Sequence, residues 1–202
     1  MFIKLYQENP NPRHIRQIVD VLKSGGIIIY PTDTVYGLGC DITKPKAVEK
    51  IAQLRGIKLS KADFSFICQD LSHLSSYTLP LDNHIFKMLK RNLPGPFTFI
   101  LRANNNVPKL FKSNKKTVGI RVPDNNIIKS IVEELGNPIL TSSIYDEDNN
   151  EHITDPEIIN DVYSDKVDII IDGGYSGNKA STVVDCSGDE IVIIRKGKGE
   201  LL

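Results

Sequence analysis

Several segments of the chain carry apolar residues at the spacing of an amphipathic helix. In the first of them, the apolar positions are Ile15, Ile18, Val19 and Leu22. This i, i+3, i+4, i+7 pattern predicts a helix, and the Gly-Gly pair that follows it is a typical stop. The same pattern predicts helices over KPKAVEKIAQLRG, LDNHIFKMLKRNLPG, DNNIIKSIVEELGNP and DPEIINDVY. We expect Asp124 and Asp155 to cap the last two, because short acidic side chains favour the N-cap position.

Short apolar runs between and after these helices predict the strands. They are FIKL, IIIY, FSFIC, FTFIL, TVGIRV, PILTSS, VDIIIDGG, STVVDC and EIVIIRKG. The SGD between the last two is a hairpin signal. Strands and helices alternate at first, and strands gather near the end. This order predicts an α/β fold with a twisted sheet of mixed parallel and antiparallel strands flanked by helices. The length of 202 residues suits a single domain over residues 1–202.

One segment, IIIYPTDTVYGLGCD at residues 27 to 41, is unusually rich in turn residues. Its apolar run stops at Pro31, and hydroxyls, one carboxylate and two glycines follow within a few positions. A plain turn needs only about two to five residues of this kind. By itself the segment predicts a strand that ends in a long, polar loop.

Other predicted strands also stop at hydroxyl, glycine or cationic residues. The positions are Gly119, Arg121, Thr141, Ser142, Ser143, Arg195, Lys196, Gly197 and Lys198. In open α/β sheets ligands favour the crevice beyond the strand ends, and hydroxyls and arginines there suit a phosphate or a carboxylate. Taken singly, each position is more typical of a turn or of a solvated edge charge. Only their combination predicts a ligand site.

Composition narrows the classes of function. Lys+Arg and Asp+Glu are both 25, so the net charge does not favour a nucleic-acid partner. Local lysine runs are the exception, and they comprise Lys109, Lys112, Lys115, Lys116, Lys196 and Lys198. The isolated cysteines and unpaired histidines predict reduced, packed thiols and neither a metal centre nor a hydrolytic triad. No apolar run approaches the roughly 20 residues of a membrane span, and the N-terminus is too polar for a signal peptide, so we expect a cytoplasmic protein.

In combination, these motifs resemble the YrdC/YciO family, whose best-known members make threonylcarbamoyl-adenylate. The matching pieces are YPTDTVYGLGCD, LPGPFTFIL, VGIRVPDNNIIKSIVEELGNPI, IIIDGG and STVVD…IVIIRKG, in that order. The resemblance implies a YrdC-like fold, in which a twisted sheet surrounds a deep, concave and cationic cavity. It implies ATP, L-threonine and bicarbonate as substrates, Mg²⁺ bound with the ATP, and no structural metal. In the family reaction, the amine of threonine takes up CO2 as a carbamate. A carbamate oxygen then attacks the α-phosphate and releases pyrophosphate, and the adenylate modifies adenosine in tRNA to threonylcarbamoyladenosine.

The resemblance also implies roles for single residues on the amino-acid side of the cavity. Thr32, Thr34 and Ser181 would line that side, and Arg121 would face the amino-acid carboxylate. Asp33 has two interpretations, which the sequence leaves open. It either meets an ammonium, a metal or an arginine, or it is a turn residue that bonds its own backbone.

On the nucleotide side, the resemblance places Ser143 near the nucleotide and Arg195 on the phosphates. Arg55 and Lys58 belong to the LRGIKLSKADFSF stretch, which corresponds to a signature of the synthases. Arg55 stands where those enzymes carry the lysine of Lys-x-Arg-Pro, and Lys58 stands in place of the proline. We include both in the predicted nucleotide site.

The sequence departs from the synthases at two positions that matter physically. Ile57 replaces the arginine of Lys-x-Arg-Pro, and Tyr145 replaces the asparagine of a Ser-x-Asn motif. Loss of a charge-assisted hydrogen bond to a phosphate costs about 1.5–3 kcal/mol, which Lys58 or Lys61 would offset only from a shifted position. The pattern resembles the YciO branch of the family. The end of the chain at Leu202 leads us to expect no additional C-terminal domain of the kind found in longer members.

Several hypotheses of function follow. The first is a nucleotide-binding protein related to L-threonylcarbamoyladenylate synthase, a nucleotidyltransferase-like enzyme whose activity is weak or diverged. The alternative is a module that binds double-stranded RNA or tRNA without the synthase reaction. A third is a different adenylate-forming reaction with a changed acyl acceptor, since Tyr145 would reshape the site. Sequence alone does not decide whether the protein is an enzyme.

Overall fold

A computed structural model describes residues 1–59, 64–108, 116–145 and 151–202, and in these residues ten strands form one sheet. The strands are β1 (Phe2–Lys4), β2 (Ile28–Tyr30), β3 (Gly37–Asp41), β4 (Ser65–Ile67), β5 (Phe97–Arg102), β6 (Thr117–Arg121), β7 (Ile139–Ser143), β8 (Ile169–Asp172), β9 (Thr182–Asp185) and β10 (Val192–Arg195). The helices are α1 (Pro12–Lys23), α2 (Pro45–Leu54), α3 (Leu71–Ser75), α4 (Asn83–Asn92), α5 (Asn126–Leu135) and α6 (Pro156–Tyr163). The short helix α3 has no counterpart among the predicted helices.

The strand order across the sheet is β1-β8-β2-β3-β7-β4-β6-β5-β9-β10. Four neighbouring pairs are parallel, namely β1/β8, β2/β8, β4/β6 and β5/β9. The remaining pairs are antiparallel, including the predicted β9/β10 hairpin. The predicted mixed sheet flanked by helices is therefore confirmed.

Each face of the sheet carries its own apolar cluster. On one face, α1 and α5 pack together and bury Ile18, Leu22, Ile128 and Ile131 against strand residues that include Ile139. On the other face, α2 and α4 pack against the sheet and bury a larger cluster. Its strand members include Phe66, Phe99, Leu101, Val118, Ile120, Leu140 and Val184. Burial of these side chains is the main stabilising term of the fold.

Helix caps differ from the prediction at one position. Asp155 caps α6 as expected, since its side chain accepts from the backbone N–H of Glu157 at 2.9 Å. The cap of α5 is Asn125 instead of Asp124, and its side-chain oxygen accepts from Ile127 and Ile128. The physical reason is that Asp124 lies one residue outside the helix, where its backbone N–H donates to the Asp33 carboxylate at 3.2 Å.

The segment after Pro31 is a loop only as far as residue 36, because Gly37–Asp41 forms β3 in the middle of the sheet. The prediction of one long loop was therefore wrong for residues 37–41. Its glycines serve close packing: a Cβ on Gly37 would lie 2.9 Å from the Tyr30 ring, and one on Gly39 would lie 2.3 Å from the Leu140 carbonyl oxygen. Glycine is more typical of turns than of strands, and the close contacts that require it in β3 form only in the folded chain.

The three cysteines are free and buried, as predicted. Burial raises the pKa of each thiol, and in Cys186 it reaches about 12. Among the residues that the structure describes, no group of three or more His, Cys, Asp or Glu side chains is arranged to hold a metal ion. No helix in the described residues has both the length and the apolar character needed to cross a bilayer.

Candidate functional site

A cavity of about 860 Å³ lies over one face of the sheet, in the half formed by β7, β4, β6, β5, β9 and β10. Its described lining residues are Arg55, Phe64, Ser65, Thr98, Ile100, Thr117, Gly119, Arg121, Thr141, Ser142, Ser143, Tyr145, His152, Ser181, Val183, Asp185, Ile194 and Arg195. Most of the strand residues in this set occupy every second position. Because successive side chains of a strand point to opposite faces, the intervening positions carry the apolar cluster on the opposite face.

The position of the cavity corrects one expectation. We expected ligands in a crevice beyond the strand ends, whereas the cavity covers the face of the sheet itself. Strand β7 shows the reason, since Ile139 packs under α1 and α5 while Thr141 and Ser143 on the same face line the cavity. These helices cover only part of that face. The part they leave uncovered carries mainly hydroxyls, one glycine and arginines.

Arg121 lies at the inner wall of the cavity. Its Nη2 donates to Asp33 Oδ1 at 3.1 Å and to Thr34 Oγ1 at 2.9 Å, and both charged side chains are almost wholly buried. Burial lowers the pKa of the Arg121 guanidinium, the Asp33 carboxylate opposes this shift, and the nearby Arg195 adds to it. Asp33 therefore meets an arginine, which is one of the two interpretations that the sequence left open.

The two threonines of the loop lie behind Arg121 and are not among the described lining residues. Thr32 Oγ1 donates its proton to the Val35 carbonyl at 2.7 Å and accepts from the Thr34 backbone N–H. The 3.0 Å contact between the two hydroxyls must then run from Thr34 to Thr32. Thr34 in turn accepts from Arg121. The hydroxyls that we expected to face a ligand instead fix the guanidinium that does line the cavity.

A second polar cluster lies near Arg121 on the neighbouring strands β5, β9 and β10. Arg195 donates to the Ser181 carbonyl from Nε at 3.3 Å and from Nη2 at 3.0 Å, and Nη2 also reaches Ser181 Oγ. Ser181 Oγ lies 2.8 Å from Thr98 Oγ1. Lys198 links this cluster to the loop after β2, because its ammonium donates to the Asp33 backbone carbonyl. The C-terminal segment thus contacts the same loop that positions Arg121.

Positive charge dominates the described lining. The cations are Arg55, Arg121 and Arg195, and the carboxylate is Asp185, which accepts from the backbone and hydroxyl of Ser187. The buried Nε atoms of Arg55 and Arg121 find no hydrogen-bond acceptor among the described residues. Both atoms are also shielded from solvent, whereas the three guanidinium groups as a whole line the cavity and favour an anionic ligand.

The predicted site residues fall into three groups. Those in the cavity lining are Arg55, Arg121, Ser143, Ser181 and Arg195. Thr32 and Thr34 lie buried behind the lining. Lys58 is exposed and lies outside the described lining, as does Ile57, which is 39% exposed. Lys61, Lys109, Lys112 and Lys115 lie outside the described residues.

His152 and Tyr145 are lining residues that the sequence did not assign together. Their rings meet edge to face with centroids 5.2 Å apart. His152 Nδ1 lies 2.7 Å from the Ile144 carbonyl oxygen. Because a carbonyl only accepts, the ring must carry its proton on Nδ1, and in the neutral ring Nε2 is then an acceptor. The sequence held no signal for this pair beyond its closeness along the chain.

Comparison with known proteins gives a consistent result. A family model named Sua5/YciO/YrdC, with the description telomere recombination, matches residues 20–197. YciO of Escherichia coli strain K12 is 40% identical over 201 residues, which cover 99% of this chain and 97% of that protein. A crystal structure of E. coli YciO is similar to this chain with a TM-score of 0.92 and covers the same shares of the two chains.

Two more distant relatives have named ligands or activities. Sua5 of P. abyssi, solved in complex with L-threonine, has 25% identity and a TM-score of 0.87, and the match covers 98% of this chain and 57% of that one. Threonylcarbamoyl-AMP synthase of Nitrosococcus oceani is 36% identical over 134 residues, which cover 66% of this chain and 71% of that protein.

Proposed function

The chain belongs to the Sua5/YciO/YrdC family, and we propose that its cavity binds ATP or a related nucleotide and forms threonylcarbamoyl-adenylate only weakly. The family relationship makes the chain a relative of threonylcarbamoyl-AMP synthases. The proposed ligands are those of the named relatives, of which Sua5 of P. abyssi was solved in complex with L-threonine.

The observation that carries the proposal is the convergence of three guanidinium groups, those of Arg55, Arg121 and Arg195, on a cavity whose described lining holds a single carboxylate, Asp185. Guanidinium groups bind carboxylates and phosphates through charge-assisted hydrogen bonds, so such a lining favours an anionic ligand. The cavity offers further donors on its floor in the form of strand hydroxyls. A triphosphate and an amino-acid carboxylate are both anions that such a set of donors recognises.

Within this proposal the residues divide between two anions. Arg121, fixed by Asp33 and Thr34, binds the carboxylate of an amino acid, and Ser181 lies close to the same ligand. Arg195 and Arg55 bind the phosphates, and Ser143 lies near the nucleotide. Adenylate formation needs positioning and neutralised charge more than covalent help from the protein, so these side chains suit it.

Mg²⁺ enters the proposal with the nucleotide. Asp185 is the one carboxylate among the described lining residues, and magnesium in nucleotide sites is typically held by one or two carboxylates together with phosphate oxygens. Asp185 fits that role, and the bound ion would neutralise phosphate charge. The protein's own contribution is to orient the phosphates through Arg195 and to exclude bulk water from the floor.

Tyr145 supports the weak-activity part of the proposal. It lines the cavity at the position where synthases carry a short amide, and its ring packs against His152. A bulky ring there reduces the space for substrate and removes an amide donor. Ile57 supports this part less, because its side chain is exposed and outside the described lining.

Calorimetric titration with ATP and Mg²⁺, followed by a pyrophosphate assay with L-threonine and bicarbonate, tests the proposal. We expect ATP binding in the wild type and turnover well below about 1 s⁻¹, the lower end of typical enzymes. Arg195→Ala should weaken binding by about 10-fold to 150-fold, the equivalent of about 1.5–3 kcal/mol for a charged hydrogen bond. Arg91→Ala, at an exposed position of α4, is the matched control. Absence of ATP binding at millimolar concentration would refute the proposal, and turnover of about 1 s⁻¹ or more would refute its weak-activity part.

The alternative function, binding of double-stranded RNA or tRNA, has less support. Of the predicted lysine runs, only Lys116, Lys196 and Lys198 lie in the described residues, and the Lys198 ammonium is bonded to the Asp33 carbonyl. Duplex affinity measured against salt concentration separates the two functions. An affinity that falls steeply with salt would favour phosphate contacts, and a flat response would argue against them.

A further inference from the structure

Strand β10 is exposed along its whole length. The exposed aliphatic side chains are Ile191 at 41%, just before the strand, and Val192 at 50%, Ile193 at 44% and Ile194 at 58% within it, of which Ile194 also borders the cavity. In the described part of the chain, β10 is the last strand of the sheet and pairs only with β9. Its outer edge therefore presents backbone donors and acceptors, with exposed aliphatic side chains on both faces of the strand beside it.

Such an edge is unusual for a protein that acts alone. Natural edge strands are commonly protected by lysines, prolines, short length or a covering segment. Among the described residues, the other exposed Ile, Leu and Val side chains do not form a consecutive run; Ile158 and Val162 on α6, for example, are four residues apart. The run from Ile191 to Ile194 is continuous, and a continuous exposed apolar run is more typical of an interaction surface than of a strand that faces only solvent.

We propose that β10 pairs antiparallel with β10 of a second copy of this chain. The sequence around the strand is complementary to itself in that direction, because Asp189 and Glu190 precede it and Arg195 and Lys196 end it. Antiparallel pairing centred on Ile193 brings Glu190 of one copy opposite Lys196 of the other. The two-fold symmetry of a dimer repeats this contact. Opposite charges directly across an antiparallel ladder stabilise the pairing.

The same register places Val192 of one copy opposite Ile194 of the other and Ile193 opposite itself. These are β-branched side chains, which pack well as cross-strand pairs. A bulge between Ile193 and Arg195 bends the strand, so the shared ladder is short. The pairing buries less than the about 800 Å² per partner of a standard interface, and we expect dissociation at about micromolar concentration.

A single cysteine tests the register. In an antiparallel pair, residues directly opposite each other have Cα atoms about 4.5–5.5 Å apart, within the range of a disulfide. Ile193→Cys should therefore form a cross-linked dimer under mild oxidation. Ile158→Cys, an exposed aliphatic position on α6, is the matched control and should stay monomeric. The native thiols are buried, which keeps them out of the reaction.

Sedimentation of the uncross-linked protein tests the surface itself. We expect the wild type to shift from monomer to dimer as its concentration rises through the micromolar range. Ile193→Lys should weaken dimerisation at least tenfold, while Ile158→Lys should leave it unchanged. Glu190→Lys should weaken it as well, and Glu190→Lys combined with Lys196→Glu should restore it. A wild type that stays monomeric at 100-fold higher concentration, or a dimer insensitive to Ile193→Lys, would overturn the proposal.

Discussion

Asp33 and Arg121 form an ion pair of 3.1 Å at the inner wall of the cavity, with their side chains only 9% and 6% exposed. The pair joins the loop after β2 to the end of β6, which are far apart along the chain. It also fixes the orientation of a guanidinium whose Nε remains without an acceptor in the described residues. Asp33 therefore positions a guanidinium that lines the cavity, and its own negative charge is paired with that guanidinium.

Asp33→Asn should destabilise the protein by about 3 kcal/mol, because removal of one partner leaves the other charge buried without compensation. Chemical denaturation gives the free energy of unfolding of both proteins. Asp82→Asn is the matched control, since Asp82 is exposed and makes no side-chain cap bond to α4. Equal unfolding free energies in the two variants would show that the ion pair does not contribute to the stability of the fold.

Strands β5, β6, β7 and β9 were predicted from their short apolar runs, and the mixed sheet was predicted from the order of strands and helices along the chain. The structure adds the face of each residue: Thr117, Gly119 and Arg121 of β6 line the cavity, while Val118 and Ile120 belong to the apolar cluster on the other face. The sequence could not show which face of the sheet carries the cavity, because that depends on how far α1 and α5 extend over the sheet. The partner of Arg121 was not readable either, since Asp33 lies 88 residues away and its contact exists only in the folded chain.

Gly119→Ala should weaken ligand binding by about tenfold, or about 1.4 kcal/mol, with little change in unfolding free energy. A Cβ at this position would lie 2.7 Å from Ser65 Oγ and 3.5 Å from a Thr98 methyl carbon, so it would displace hydroxyls on the cavity floor. ATP titration measures the effect. Gly188→Ala, where a Cβ would meet no atom within 4 Å, is the control and should bind like the wild type. Equal weakening in both variants would contradict the role of Gly119.

His152→Ala should lower nucleotide affinity by about 2-fold to 10-fold, the effect of one lost hydrogen bond of about 0.5–1.5 kcal/mol. The reason is that the Ile144 carbonyl holds the proton on Nδ1 and makes Nε2 an acceptor. His152→Gln keeps an acceptor and should retain more affinity than His152→Ala. His84→Ala on α4 is exposed and serves as the control. Identical affinities for the Ala and Gln variants would argue against an acceptor role.

Cys40 should make the protein less stable at alkaline pH. Burial raises the pKa of its thiol above the ordinary 9.0, so the folded state keeps a proton that the unfolded chain loses. The free energy of unfolding then falls as pH rises above about 9, by up to about 1.4 kcal/mol per pH unit for this group. Denaturation of wild type and Cys40→Ala between pH 7 and 10, in reductant, isolates the slope. Parallel curves would exclude the proposed contribution of Cys40.

Tyr145→Asn should raise the rate of pyrophosphate release with ATP, L-threonine and bicarbonate, whereas Ile57→Arg should not. Both positions depart from the synthases, but only Tyr145 lines the cavity, while Ile57 is exposed outside the described lining. Replacing the ring by a short amide opens space beside His152 and restores a donor and an acceptor. The two single variants and the double variant, assayed side by side, separate the contributions. If Ile57→Arg alone raised the rate and Tyr145→Asn did not, the weak turnover would originate in the segment after α2, and the cavity wall at Tyr145 would be irrelevant to it.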